Sequence, residues 1–187
     1  MFATVARTSL LFMLICGVIY PLAVTGIAAV LLPEQANGSL VYNNEGKVIG
    51  SELIGQSFAD EGFFHSRVSS IDYDASSSGT NNYAPTNEEM LERTKASITE
   101  WQSENPDVSL KSLPIDLITN SGSGLDPHIT PKAALAQINR VAEHTNVPKS
   151  ELKSLIERHT EEKEWGLFGE ERVNVLKLNI SLMELTS

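Results

Sequence analysis

Thr8-Ser-Leu-Leu-Phe-Met-Leu-Ile-Cys-Gly-Val-Ile-Tyr-Pro-Leu-Ala-Val-Thr-Gly-Ile-Ala-Ala-Val-Leu-Leu32 runs for 25 residues without one Asp, Glu, Lys or Arg. As a helix it would extend roughly 37 Å at about 1.5 Å per residue, against about 30 Å of bilayer hydrocarbon. That length predicts a membrane-spanning helix with some tilt. A cleaved signal peptide has a shorter apolar core, about 7–15 residues. A lipoprotein requires a small residue before its cysteine, whereas Ile15 precedes Cys16. The stretch reads as a retained span over 8–32, behind a short tail over 1–7. Arg7 stands before it, Glu34 follows it, and the first cation beyond is Lys47. Cytoplasmic flanks collect Lys and Arg, so the expected topology has the tail over 1–7 in the cytoplasm and a globular domain over 33–187 outside it.

The span carries more than hydrophobicity. Pro21 has no N–H to give the carbonyl of Gly17, so a kink is expected there. Gly17, Pro21, Thr25 and Ala29 recur every four residues as a stripe of compact side chains. Such stripes let helices approach closely in lipid, which makes this one a candidate packing face for a larger membrane protein. A lone anchor would need no such face.

Beyond the span, 13 Lys/Arg stand against 24 Asp/Glu, a net charge of −11. That charge disfavours nucleic acid and anionic membrane surfaces as partners. The one cysteine lies within the span, so the outer domain can form no disulfide and no Cys-ligated metal site. The four histidines, at 65, 128, 144 and 159, show no metal-ligand spacing, and no bound metal is expected.

The 155 residues after the span suit one core. Leu40-Val-Tyr42 and Val48-Ile49 flank Asn43-Asn-Glu-Gly46, which predicts a hairpin or two short strands. Residues 76–82, rich in Ser, Gly and Asn, read as a loop. A helix is predicted over 87–103, opened by a Thr86/Glu89 capping box and carrying Leu91, Thr94, Ile98 and Trp101 at helical spacing. Ile115 to Thr119 reads as a strand. Thr130-Pro131 opens a second helix, and a third begins near Pro148. Over 172–182 the apolar residues switch parity, which reads as a bulged strand or one covered on both faces. Interspersed strands and helices make the fold class α+β.

Ser121-Gly-Ser-Gly-Leu-Asp-Pro-His-Ile-Thr-Pro131 is the candidate interface or ligand loop, with Ser121, Gly122, Ser123, Gly124, Asp126 and His128 as its candidate residues. Glycine-rich turns before a helix often bind anions, yet the lysine and hydroxyl of GxxxxGK[ST] are missing. The bland reading is that Gly122 and Gly124 permit an unusual backbone path which Pro127 stiffens. Serine chemistry would call for Ser121 or Ser123 with His128 and Asp126. The GxSxG elbow is absent, however, and Pro127 between Asp126 and His128 argues against a shared site. No catalytic residue is expected.

Several blocks together resemble the C subunit of the Kdp potassium-transporting ATPase, a bacterial P-type pump complex. They are Tyr20-Pro-Leu-Ala-Val-Thr-Gly26, Gln35-Ala-Asn-Gly-Ser-Leu40, and Gly50-Ser-Glu-Leu-Ile-Gly-Gln56 with Phe58, Phe64 and Arg67. Pro85-Thr-Asn87, Ser121 to Ile129, Gly169-Glu170, Arg172-Val-Asn-Val-Leu176 and Leu178-Asn179 complete the series. Departures fall in loops: Arg67-Val-Ser69 where the family has Arg-Pro-Ser, Ser78-Gly-Thr-Asn-Asn82, and Asn120 where Ala is common. The resemblance implies a noncatalytic subunit in the bacterial cell membrane. Its partners would be a potassium-channel-like subunit and a P-type ATP-hydrolysing subunit. It also implies a role as catalytic chaperone that raises the ATP affinity of the catalytic subunit, with no firmly bound cofactor and ATP met only in complex with that subunit. A membrane-tethered extracytoplasmic hydrolase and a solute-binding module remain the alternatives.

Overall fold

From Phe2 to Leu31 the chain is one unbroken helical run of 30 residues, and none of its most apolar stretch is buried. The computed structural model describes every residue except Asn44 and Ser187. It divides into two compact units, Met1–Ile49 and Gly50–Ser187.

In the first unit, α1 (Phe2–Leu14) and α2 (Tyr20–Leu31) are joined by a π turn, Ile15–Ile19. This change of winding falls just before Pro21, where a kink is expected. The Tyr20 N–H donates five residues back, to Ile15 O, instead of four. The wider turn is inserted just where the proline ring would meet the preceding carbonyls. A one-turn helix, α3 (Pro33–Ala36), follows, then β1 (Leu40–Tyr42) and β2 (Val48–Ser51), which ends two residues past this unit; β1 and β2 pair as a two-stranded sheet. The hairpin expected here is present. Asn43 organises its turn by accepting from Glu45 N at 3.0 Å and Lys47 N at 2.9 Å. Of the expected turn residues, Asn44 lies outside those described.

In the second unit, α4 (Glu88–Glu104) begins one residue later than the capping-box pattern predicts. Asn87, not Thr86, is the N-cap, and its side chain accepts from Met90 N at 2.9 Å. The expected strand Ile115–Thr119 is instead a 3-10 turn, Ile115–Leu117. An extended strand would face Ile115 and Leu117 the same way. Here Ile115 is 72% exposed, while the adjacent Asp116 and Leu117 both turn inward. Asp116 then accepts from Thr130 N at 2.7 Å.

β3 (His128–Ile129), β4 (Thr160–Glu161) and β5 (Arg172–Asn174) form an antiparallel sheet in the order β3-β5-β4. Its register pairs Ile129 with Val173 and Thr160 with Val173. Four helices accompany the sheet: α5 (Pro131–Ala136), α6 (Ile138–Thr145), α7 (Lys149–His159) and α8 (Val175–Thr186). Thr130 caps α5 as expected, its hydroxyl accepting from Ala133 N at 3.1 Å. The expected strand over 172–182 is corrected: it stops at Asn174, where α8 begins. The parity switch was a change of period from 2 to 3.6, with Val175, Leu178, Asn179 and Leu182 buried on one helical face. Asn174 marks the change by accepting from Lys177 N at 3.2 Å. Ala133, Val141, Leu152, Val173 and Leu178 make the core, with Phe64 of the long irregular segment between β2 and α4.

Buried polar side chains hold that segment. Asn179 accepts from Phe64 N at 2.8 Å and donates to Phe64 O at 2.9 Å. Gln137 does the same for His65, at 2.7 and 3.2 Å. Arg140 donates to the carbonyls of Glu61 and, at 2.9 Å, Phe63.

Candidate functional site

The turn over 121–131 satisfies most of its polar groups within the fold. Ser121 Oγ accepts from Gly124 N at 3.0 Å, Ser123 Oγ accepts from Leu125 N at 3.1 Å, and the two hydroxyls lie 3.2 Å apart. The carbonyls face outward to neighbouring loops. Ser123 O accepts from Gly79 N at 2.8 Å, Gly124 O from Ser69 Oγ at 2.7 Å, and Leu125 O from Gly55 N at 2.7 Å. Gly124 sits at φ +71, and a Cβ built there would lie 2.8 Å from Ile71 Cγ1 and 3.0 Å from Gly79 O. Only glycine meets both demands. Gly122 is different: a Cβ there would have nothing within 4 Å, and its φ is not left-handed. The unusual path expected of both glycines belongs to Gly124 alone.

Asp126 is the hub. It accepts from Arg67 Nη1 at 3.0 Å and from His128 N at 3.0 Å, and its Oδ1 stands 3.5 Å from His128 Nδ1. The tight turn at Pro127 sets the Asp126 and His128 side chains side by side, with Pro127 O accepting from Val175 N at 3.0 Å. Burial opposes ionisation of Asp126, but hydrogen bonds from His128 and the charge and hydrogen bond of Arg67 outweigh it, holding the carboxyl below its usual range. A cleft of about 240 Å³ opens beside it, bordered by Arg67, Asp116, Asp126, His128, Thr130 and Arg172.

Each serine Oγ accepts from a backbone N–H of the turn, and none of the hydrogen bonds among the described residues joins either to His128. An anion-binding turn needs free N–H groups, whereas those of Gly124, Leu125, His128 and Thr130 are bound by hydroxyls or carboxylates of the chain itself. Among the described residues no group of three or more His, Cys, Asp and Glu could hold a metal ion.

Sequence reasoning gave no role to Asp116, nor to the buttresses Gly55, Ser69 and Gly79, which entered only within the stretches compared with the family. A Cβ on Gly55 would stand 2.7 Å from Asp126 O. That contact lies about seventy residues away along the chain, and no local pattern signals it. The span's stripe, Gly17, Pro21, Thr25 and Ala29, lies on the exposed helix, and nothing comes within 4 Å of a Cβ placed on Gly17.

Residues 2–184 match the family described as KdpC, K+-transporting ATPase, c chain. The potassium-transporting ATPase KdpC subunit of Bacillus cereus strain Q1 is 54% identical over 181 residues, covering 97% of this chain and 94% of that protein. Subunits of the same name from Bacillus anthracis and Bacillus thuringiensis subsp. konkukian are each 53% identical over the same coverage.

Proposed function

This chain belongs to the c-chain family of K+-transporting ATPases, and on that premise we propose that it is the noncatalytic subunit which holds the pump together and tunes it. It is a single-pass membrane protein, with Phe2–Leu31 as the spanning helix. The span docks through Gly17, Pro21, Thr25 and Ala29, with the N-terminus in the cytoplasm and the domain outside. The partners are a channel-like potassium subunit and an ATP-hydrolysing P-type subunit.

The observation carrying the noncatalytic reading is the internal use of the turn over 121–131. Its carbonyls accept from Gly55, Gly79 and the Ser69 hydroxyl, while its serine hydroxyls accept from its own N–H groups at Gly124 and Leu125, so the turn is spent on bracing the fold. Asp116, Asp126, Glu170 and Glu171 border the cleft beside it against two arginines, an environment that opposes a triphosphate. An extracytoplasmic domain also cannot touch cytoplasmic ATP. The rise in ATP affinity that the family role calls for is then a coupling free energy, typically about 1–3 kcal/mol, relayed through the span or the partner subunits.

Three measurements test this. An affinity-tagged chain should co-purify in detergent with two larger membrane proteins and show no hydrolase activity alone. Removing it from the complex should weaken ATP binding by the remaining subunits, roughly 5- to 150-fold. Calorimetric titration of the isolated full-length subunit should give no saturable ATP binding. Micromolar binding to that subunit would defeat the coupling reading, and an active lone protein would favour the hydrolase.

A further inference from the structure

Between β4 and β5 the chain doubles back as a small antiparallel loop. Glu164 N donates to Phe168 O at 2.9 Å and Phe168 N to Glu164 O at 3.0 Å, leaving Trp165, Gly166 and Leu167 as its tip. The tip is bare: Trp165 keeps 91% of its surface, Leu167 79% and Phe168 60%. The Trp165 and Phe168 rings meet edge to face, their centroids 6.2 Å apart, so the tip presents one aromatic pair.

Folding gives no reason for this composition. Trp165 sits at φ +54 and Gly166 at φ +73. A turn with two consecutive left-handed residues favours Asn, Asp or Gly at the first, and a bulky aromatic is an outlier there. The indole is strained in its backbone and buries almost nothing in return. Strain retained at an exposed apolar residue points to a contact made outside the domain.

The surroundings say what kind of contact. Residues 161–172 carry five carboxylates and two cations. Both cations are engaged, Lys163 with Glu170 at 3.3 Å and Arg172 with Glu161 at 3.0 Å and Glu164 at 3.6 Å. The collar around the apolar tip is therefore net negative. It would be repelled by an anionic bilayer surface and by its own copy. We propose that the Trp165–Phe168 tip is a docking knob that enters an apolar pocket with a basic rim on another subunit of the same potassium pump. This rests on the assembly reading above, and it names the surface through which the domain, as distinct from the span, makes contact. Tryptophan anchors in such pockets commonly dominate binding.

The test uses the full complex, purified from cells making all subunits with the tag on this chain. Trp165→Asn places a residue suited to the left-handed turn, so the subunit alone should melt at the same temperature or higher. Retention of the other subunits should nevertheless fall about tenfold or more under dilution in detergent. Phe168→Ser should act in the same direction. Ile115→Asn, the same kind of change at another exposed apolar site, should leave retention intact. A photoreactive phenylalanine analogue at 165 should crosslink to a larger subunit. Crosslinking to lipid, to a second copy or to nothing, or full retention by Trp165→Asn, overturns the proposal. Failure of the unmodified chain to co-purify would instead overturn the assembly reading.

Discussion

Gly124→Val should be the most destabilising single change in the turn over 121–131, and its neighbour provides the control. At φ +71 any L-residue incurs about 1–2 kcal/mol, and a β-branched one resists this region further. The added Cβ would lie 2.8 Å from Ile71 Cγ1 and 3.0 Å from Gly79 O. Gly79 O is backbone, held by Ser70 Oγ at 2.9 Å, so it yields poorly. Overpacking of that kind adds about 1–3 kcal/mol. The total, about 2–5 kcal/mol, is a large share of the roughly 5–15 kcal/mol that keeps a domain folded. Gly122→Ala meets nothing within 4 Å and should stay within about 0.5 kcal/mol of the parent. Urea unfolding of the full-length subunit in detergent, followed by the fluorescence of buried Trp101, measures both. Equal midpoints at equal slope for the two variants would refute the idea that Gly124 is clamped between Ile71 and Gly79.

Asp126→Asn keeps the shape but loses the charge held by Arg67, and should cost about 1–3 kcal/mol in a neutral-pH melt. Because the folded carboxyl titrates below its usual value, the parent's advantage is full above about pH 3.9 and is lost as pH falls through the folded value. A parent–variant gap that persists in strong acid would contradict that account. In the span, Gly17→Leu or Thr25→Leu should weaken co-purification more than Ile27→Phe, about 200° round the helix from Thr25 at about 100° per residue; equal losses would reduce the helix to an anchor. A cysteine replacing Ser39 should react with an impermeant thiol reagent in intact cells while Cys16 stays silent, and failure to label would reverse the proposed topology.

Local signals were readable from sequence where the physics is local. The uncharged run over 8–32, the Thr130 cap with Pro131 behind it, and the helical spacing of Leu152, Leu155 and Ile156 each depend on neighbours a few residues away. Two strands were misread because short apolar runs do not distinguish a strand from a turn or a helix start. Ile115 to Thr119 follows Pro114 and turns inward through Asp116, and Val175 to Leu182 winds because Asn174 caps it. The candidate turn was legible as glycine-rich and stiffened, but its purpose was not. Gly55, Ser69 and Gly79 approach it from distant parts of the chain, and their identities as small or hydroxylic residues are common in any loop. Gln137 and Arg140 escaped notice, and Asn179 entered only within a family block, for the opposite reason: polar residues on helices usually face water, and these three are buried.

Those three residues explain how a segment without strands can line a core. A buried backbone needs partners, and the stretch around Phe64 has no neighbouring strand to supply them. An amide side chain offers one acceptor and one donor group, as a peptide unit does. Asn179 and Gln137 therefore stand in for strand residues beside Phe64 and His65. With Phe64 fixed, Arg67 lies three residues further along and within 3.0 Å of Asp126. Asp126 fixes the His128 N–H at the start of β3, and Pro127 O fixes the Val175 N–H at the start of α8. That helix carries Asn179, which closes the circuit back to Phe64. Each link positions the next, so the polar groups of the turn are committed to holding a ring of contacts around β3 and α8. The Arg67–Asp126 ion pair is the charged link of that circuit, tying the segment that carries Phe64 to the turn that sets β3 and α8.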